Sequence, residues 1–347
     1  MSDMADQGRF EAGFSIEGKA VRAGAPVYVI AEAGVAHFGS EEKAYRLVDL
    51  AADAGADAVK FQVFDVDALI SDSQPGWRAR LGSRQLPYDA FVRIQSYCKQ
   101  RGITFFATAH DEPSLAFLAG LDVPVYKVGS GEVGNWPFLK RVASLGKPLI
   151  FSVGMYRQQE IAEALNAVAE SGNRQVAVLH CVTRYPTPPE EVSLGNIVLL
   201  RERFGVLAGY SDHTRGFHIP LAAVALGARI IEKHISLDFD VPNAQDWKVS
   251  CGPHDLARFI SELREVEAAL GLRESGPTAG EQESKVWAGK SLVPVRDIPA
   301  GTILQASDLA GKRPGTGIPP SRLGEVVGKS AKIDLARDQV IQWEQLA

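Results

Sequence analysis

The sequence predicts a (β/α)₈ TIM barrel followed by a small, mostly β domain, and three observations carry that prediction. Short apolar runs alternate with stretches of helical period between Val27 and Leu270. Almost every run ends in polar or titratable residues: Glu32; Lys60 and Gln62; Thr108; Lys127, Ser130 and Glu132; Ser152; Thr183 and Tyr185; Ser211 and His213; His234. After Gly271 the rhythm stops, and glycine and proline become frequent. Eight strand–helix repeats over about 240 residues fit a closed barrel better than an open sheet, and in a barrel the C-terminal strand ends ring one pocket.

Taken in order, Met1–Gly13 reads as a loose tail, and Phe14–Val21 alternates around Glu17-Gly18 as a small hairpin, so that 1–26 precedes the barrel. Val27–Glu32 is the first buried strand, followed by helical pattern over Glu41–Ala54. Further strands fall at Ala58–Gln62, Ile103–Thr108, Val125–Val128, Pro148–Ser152 and Val176–His180. The last two strands, Leu207–His213 and Ala228–His234, are the most informative. Between them, Gly216–Gly227 suits a buried helix about three turns long. Strand, helix, strand at this spacing is a right-handed βαβ unit, which places His213 and His234 at the C-terminal ends of neighbouring strands on one side of the sheet. The helix Asp255–Leu270 ends the barrel region, 27–270. The segment 271–287 reads as a linker, and 288–347, with β-like runs at Ser291–Val295, Thr302–Leu304 and Val340-Ile341, as a compact domain small enough to need docking.

Composition narrows the function classes. The chain has 347 residues, 46% of them hydrophobic, and a net charge of −5. A sizeable core is possible, and with no basic block neither nucleic acid nor an anionic membrane is favoured as a partner. Three cysteines make no disulfide framework and suit a reducing cytosol. The N-terminus has neither a basic n-region nor an apolar h-region, and no apolar run is long enough to span a bilayer, so a cytoplasmic location is expected.

His213 and His234 are the sharpest pair. Two imidazoles at neighbouring strand ends can share one divalent metal, and two protein ligands leave the site open for water and substrate, as a Lewis acid requires. The alternative is a pair of satisfied core histidines. No Cys-x-x-Cys or His-Glu-x-x-His pattern points to structural zinc. Lys60 and Lys127 fit either a Schiff-base aldolase, which needs one desolvated lysine, or an anion clamp holding phosphate and carboxylate; Thr108, Ser130, Ser152 and Ser211 fit the clamp better. Gly129–Gly134 matches G-x-G-x-x-G, but the next strand ends without the acidic residue a dinucleotide fold uses, so the glycines read as a tight turn offering N–H groups to phosphate. Ala288-Gly-Lys-Ser291 is no P-loop, because Ser284 stands where the first glycine belongs. Glu32 and Glu132 suit general acid/base work or sugar hydroxyls, with nothing to separate the roles. His37, His110, His180, His218 and His254 read as structural or solvated.

These segments resemble the N-acetylneuraminate (sialic acid) synthase family over nearly the whole chain. The resemblance rests on Tyr28-Val-Ile-Ala-Glu-Ala-Gly34, Ala56-Asp-Ala-Val-Lys-Phe-Gln62, Tyr126-Lys-Val-Gly-Ser-Gly-Glu132, Gly209-Tyr-Ser-Asp-His213, Ile231-Glu-Lys-His234 and, in a part similar to the antifreeze-like (SAF) domain, Lys312-Arg-Pro-Gly-Thr-Gly317. It implies condensation of phosphoenolpyruvate with an N-acetylated mannose-type aldose, giving a nonulosonic acid and phosphate. It implies manganese, or magnesium or cobalt, on His213 and His234. It implies phosphoenolpyruvate on Lys60, Thr108, Lys127, Ser130, Ser152 and Ser211, and the sugar near Gln62, Glu132, Thr183, Tyr185, Asp246 and Arg313. Glu32, Lys60, Lys127, Glu132, His213 and His234 are then the catalytic set. It further implies a domain-swapped homodimer in which each small domain lies over the partner's barrel and Arg313 completes that pocket.

The chain departs from the family pattern at three places, all on the acceptor side: Gly34-Val-Ala36-His-Phe38-Gly for Gly-Val-Asn-His-Asn-Gly, Thr183 for Asn, and Asn243-Ala-Gln-Asp246-Trp247 for Pro-Gly-Pro-Asp-His. The acceptor expected is therefore either N-acetylmannosamine or a 2,4-diacetamido sugar leading to legionaminic- or pseudaminic-type acids. A Schiff-base aldolase/lyase on the same barrel and a non-catalytic carbohydrate-binding protein are the rival expectations.

Overall fold

A computed structural model describes residues 8–271 and 276–347. The chain divides into two compact units, Met1–Gly271 and Leu272–Ala347. Of the tail expected over Met1–Gly13, the first seven residues lie outside the described ones; the rest is docked rather than loose. Phe10 is buried, and the Glu11 N–H donates to the Arg174 carbonyl at 2.8 Å. The hairpin forms as β1 (Gly13–Ile16) and β2 (Lys19–Arg22), paired antiparallel.

Eight parallel strands close the barrel in chain order: β3 (Tyr28–Gly34), β4 (Ala58–Val63), β5 (Thr104–Ala109), β6 (Tyr126–Val128), β7 (Leu149–Ser152), β8 (Val176–Cys181), β9 (Leu207–Asp212) and β10 (Ile230–His234), with β10 returning to β3. They read as apolar runs because helices cover their outer faces and side-chain layers fill the inside. Helices form where the sequence has an apolar stripe and a cap. In Glu41–Asp53, Ser40 accepts the Lys43 N–H, and Ala44, Leu47, Val48 and Ala51 face the core. The helix between β9 and β10 spans only His218–Ala225, shorter than the three turns expected. Gly227, at φ +97, turns the chain there and sends it into β10, a conformation other residues rarely adopt.

Of the linker expected over 271–287, residues 272–275 lie outside the described ones, and most of the rest is helical rather than irregular. Residues Ala279–Ala288 form a helix, started by a capping box in which Thr278 Oγ1 accepts the Glu281 N–H and the Glu281 carboxylate accepts the Thr278 N–H. Beyond it, β11 (Ser291–Pro294) and β12 (Leu309–Lys312) pair antiparallel. Of the other expected β-runs, Thr302–Leu304 makes a single bridge, Ile303 to Ser330, while Val340-Ile341 joins no named strand. A separate core gathers Leu292, Ile298, Leu304, Ile318, Leu335 and Ile341. No helix among the described residues is long and apolar enough to cross a membrane.

Candidate active site

Register brings the polar strand ends together. Glu32 lies opposite Lys60, Gln62 opposite Thr108, Thr108 opposite Lys127, Cys181 opposite Ser211, Ser211 opposite Glu232, and His234 opposite Glu32. Because side chains alternate along a strand, Lys60 with Gln62, Ser211 with His213, and Glu232 with His234 share the inner face. They line one cavity of about 160 Å³ at the C-terminal end of the barrel, together with Glu32, Thr108, Lys127, Ser130, Ser152, Thr183 and Tyr185. A larger hollow of about 520 Å³ opens by Glu17 and Thr104 at the other end, where the Thr104 hydroxyl donates to Glu17; its polar groups are paired or solvated, so volume alone does not locate the chemistry.

The cavity floor is a buried charge cluster. Lys60 Nζ sits 2.6 Å from Glu32 Oε2 and 3.6 Å from Glu232 Oε2, and donates to Thr108 Oγ1 at 3.0 Å. Lys127 Nζ donates to Ser152 Oγ at 2.7 Å and lies 3.7 Å from Glu232 Oε1. Gln62 Nε2 donates to Glu32 Oε1 at 3.0 Å, and Ser211 Oγ to Glu232 Oε1 at 2.8 Å. Burial pushes both carboxyls up, but they part. Glu232, between both lysines, is held below the ordinary carboxylate range. At Glu32, burial and repulsion from Glu232 outweigh Lys60, so its pKa is raised. Burial, then Lys60, lower the Lys127 ammonium, against the pull of Glu232. The two neighbouring carboxyls thus differ in how readily each takes a proton.

The two histidines are 5.3 Å apart between ring centroids. His213 Nδ1 donates to the Val182 carbonyl at 2.7 Å, which leaves Nε2 as the lone-pair nitrogen; it accepts from the Tyr185 hydroxyl at 2.8 Å. Burial, and His213 beside it, keep His234 well below the usual imidazole range and therefore neutral. At His213 burial is outweighed by Cys181 and the Val182 carbonyl, which raise its pKa, so it would shed its proton to a metal, whereas the neutral His234 already has the form a metal takes. Among the described residues no group of three His, Cys, Asp or Glu converges to hold an ion. Two imidazoles on one cavity wall, 5.3 Å apart between centroids, could each offer a nitrogen to one ion. On the outer face of the same strands, Lys233 Nζ and Asp212 Oδ2 meet at 2.5 Å, fully buried, and tie β9 to β10 behind the histidines.

Gly34 permits this crowding. It sits at φ +51 in a bulge between β3 and β4, and a Cβ there would lie 3.2 Å from Glu32 Oε1. Gly129 and Gly131 line the cavity, on the turn read as an N–H donor to phosphate. Glu132 does not: it holds the Asn135 side chain at 2.7 Å and lines neither this cavity nor its neighbour. Asp246 lines the adjoining cavity, with Gln62, Tyr185 and His234. Arg313 belongs to the second unit, exposed, beside Pro314, whose carbonyl accepts the Ser291 hydroxyl. His180 donates to the Val192 carbonyl and is structural, while His218 and His254 are exposed.

Sequence reasoning gave no role to Glu232, His110 or Cys181, all on the cavity wall. Glu232 and His110 each stand two residues from an assigned group, His234 and Thr108, so the two-residue strand period was the signal that finds them. His110 carries an unpartnered buried Nε2, and burial with Lys60 and Lys127 nearby drops its pKa to about 4.

A closed (β/α)₈ barrel with titratable side chains gathered in a strand-end cavity has the architecture in which barrel enzymes place their chemistry. The chain belongs to the NeuB family, whose profile matches residues 47–275, and residues 289–347 match the SAF domain. It is thus of the nonulosonic acid synthase class, whose members are transferases. It is similar to an N,N'-diacetyllegionaminic acid synthase of Campylobacter jejuni, 37% identical over 90% of this chain and 98% of the other. It is similar to the N-acetylneuraminate-9-phosphate synthase of Homo sapiens, 33% identical over 92% of each chain. Among solved structures, an N-acetylneuraminic acid (sialic acid) synthetase from Leptospira borgpetersenii aligns with a TM-score of 0.74 and 32% identity, over 79% of this chain and 95% of that one.

Proposed function

We propose that this enzyme condenses phosphoenolpyruvate with an N-acetylated mannose-type aldose, forming a nonulosonic acid and releasing phosphate by C–O cleavage. The observation that carries the proposal is the pairing of two buried ammonium groups with hydroxyls that still have a proton to give. Thr108 Oγ1 and Ser152 Oγ each accept from a lysine, so their O–H groups are free to donate to phosphate or carboxylate oxygens, while Ser130 Oγ accepts the Gly154 N–H and its hydroxyl is hydrogen-bonded to Cys181. Ser211 already donates to Glu232 and must turn to join them.

Lys60 and Lys127 neutralise the anionic substrate and align its C3 for attack on the sugar aldehyde. His213 Nε2 and His234 would hold a divalent ion (manganese, magnesium or cobalt), which supplies Lewis acidity to the aldehyde oxygen. Glu32, its pKa raised, is placed to move the protons as the new hydroxyl forms and water adds at C2. Gln62, Tyr185 and Asp246 converge where the sugar would lie. A Schiff-base route has one point in its favour, the lowered pKa of Lys127.

The test is phosphate release from phosphoenolpyruvate by purified protein against N-acetylmannosamine and 2,4-diacetamido hexoses, with manganese and with chelator. Acceptor-dependent phosphate, lost in chelator and restored by metal, is expected. A borohydride-stable adduct on Lys60 or Lys127 would establish the aldolase route instead.

A further inference from the structure

On the wall of the catalytic cavity, His110 is a titratable group with no task so far. It stands just past the end of β5, two residues beyond Thr108, and both line the cavity. Its backbone is fixed. The His110 N–H donates to the Val63 carbonyl at 3.2 Å, and the next residue, Asp111, accepts the Asp65 and Ser114 N–H groups at 2.8 Å each. The ring lies against the turn after β6, where a Cβ added at Gly129 would come 3.9 Å from His110 Cε1.

The ring is incompletely bonded. Nε2 is buried without a hydrogen-bond partner, whereas the Thr108, Ser130 and Ser152 hydroxyls and both ammonium groups beside it have theirs. A buried nitrogen left bare weakens the fold, and a ligand that fills the cavity removes that penalty. The surrounding charges say which ligand. Burial, then Lys60 and Lys127, keep the ring neutral in the empty cavity, with a pKa of about 4. Of the carboxylates on the other strands, Glu32 and Glu232 lie against the lysines, and Glu132, after β6, holds Asn135. On its own loop the Asp111 carboxylate is taken up by backbone N–H groups. Cys181, His213 and His234 complete the titratable lining. None of these forms an ion pair or hydrogen bond with His110 among the described residues. An anion entering between the lysines reverses their field at the ring and favours its protonated form. The ring packs on the glycine turn that offers N–H groups to phosphate, so the phosphate end of phosphoenolpyruvate is the end it meets.

We propose that His110 is a further catalytic residue: its Nε2–H holds the phosphate of phosphoenolpyruvate and passes its proton to the bridging oxygen as the C2–O bond breaks. This deepens the synthase reading above and rests on it. When the tetrahedral intermediate collapses, the electron pair of the C2–O bond stays with the bridging oxygen, which takes the His110 proton and departs as hydrogen phosphate. The C2 hydroxyl becomes the keto oxygen and returns its own proton to the imidazole, so the step neither gains nor loses a proton. Once phosphate has left, the lysines again favour the neutral ring, and it gives its proton to solvent.

The experiment uses full-length protein carrying His110→Gln, whose amide N–H can stand in for Nε2–H as a donor but gives up no proton, and His110→Phe, which fills the space and does neither. Phosphoenolpyruvate binding is measured by calorimetry in chelator, in buffers of different ionisation enthalpy, so that proton uptake is read with affinity. Turnover is followed as phosphate release with manganese, against N-acetylmannosamine and 2,4-diacetamido hexoses, across the neutral pH range. The wild type should take up close to one proton more per phosphoenolpyruvate than either variant. His110→Gln should keep its affinity within about threefold and lose about a hundredfold or more in kcat, the scale of a general acid. His110→Phe should also lose about tenfold or more in affinity, the scale of a charge-assisted hydrogen bond. The wild-type kcat should fall on its alkaline side as the bound imidazole loses its proton, and His110→Gln should lack that limb. Without substrate, neither variant should melt lower than the wild type, because the atom removed has no partner. Unchanged kcat and pH profile in His110→Gln overturn the assignment and leave the synthase reading intact; so does a fall in melting temperature with unchanged proton uptake, the mark of a structural histidine. If the extra proton uptake is lost in both variants while the wild type releases no phosphate with any acceptor, the phosphate contact stands and the synthase reading falls.

Discussion

Glu232 shows how one side chain sets the electrostatics of the cavity. It lies within 3.7 Å of both lysines and is buried, so deleting its charge leaves Lys127 with no carboxylate partner among the described residues and Lys60 with Glu32 alone. Glu232→Gln should lower the stability of the substrate-free protein by roughly 3 kcal/mol. Phosphoenolpyruvate then supplies the missing negative charge, so it should raise the melting temperature of the variant more than that of the wild type; equal shifts would disprove the compensation. His37 gives a second residue-scale prediction. Its Nδ1 accepts the Gly39 N–H, its Nε2 is buried without a partner, and burial, then Arg84, lower its pKa to about 4 from 6.5. The unfolded chain therefore binds the proton first. This contribution is complete above pH 6.5, falls by about 3 kcal/mol as pH drops from 6.5 to 4, and levels off below. His37→Asn, whose Oδ1 replaces the Nδ1 acceptor, should flatten that slope in denaturant titrations across the interval. An unchanged slope would show that His37 is charged in the fold.

At the scale of elements, the bulge at Gly34 and the cap at Thr278 are the points to perturb. Gly34→Ala adds a Cβ at positive φ against Glu32, costing about 1–3 kcal/mol of backbone strain. It should also cut kcat/KM by about tenfold or more, since the Glu32–Gln62 pair must shift. Activity intact at reduced stability would separate the bulge from the chemistry. Thr278→Ala should cost the second unit about 1 kcal/mol, read as a lower melting temperature. These two elements also mark the reach of sequence reading. The barrel strands were legible because strands buried on both faces are apolar runs, and their C-terminal ends are where polar residues resume. The helix after Thr278 was written as Thr278-Ala-Gly-Glu281, a capping-box pattern, but lay in a stretch whose Gly and Pro content pointed to a linker. Glu232 was visible only as a neighbour of His234, because its partners come from strands about 100 and 170 residues away and register, not local pattern, unites them. Arg80, on a helix with no apolar stripe, and Arg84, just beyond it, line the adjoining cavity, which nothing periodic marked.

At the scale of the whole molecule, the proposal concerns assembly. Arg313 is exposed, on a loop of the second unit that Ser291 and Gly315 hold in place, the latter through its N–H to the Val286 carbonyl. We propose that it serves the barrel of the partner subunit. Co-expressing His234→Ala with Arg313→Ala, each inactive alone, should then restore activity in mixed dimers, because one pocket receives both defects and the other receives none. Mixed dimers without activity would assign Arg313 to its own subunit's pocket.

The central claim, that the cavity aligns phosphoenolpyruvate for carbon–carbon bond formation and C–O cleavage, is tested most directly by running the reaction in water enriched in oxygen-18 and weighing the released phosphate. The account predicts acceptor-dependent phosphate that carries no solvent oxygen, since the bridging oxygen leaves with phosphorus. Phosphate labelled from solvent, the signature of P–O cleavage, would contradict it.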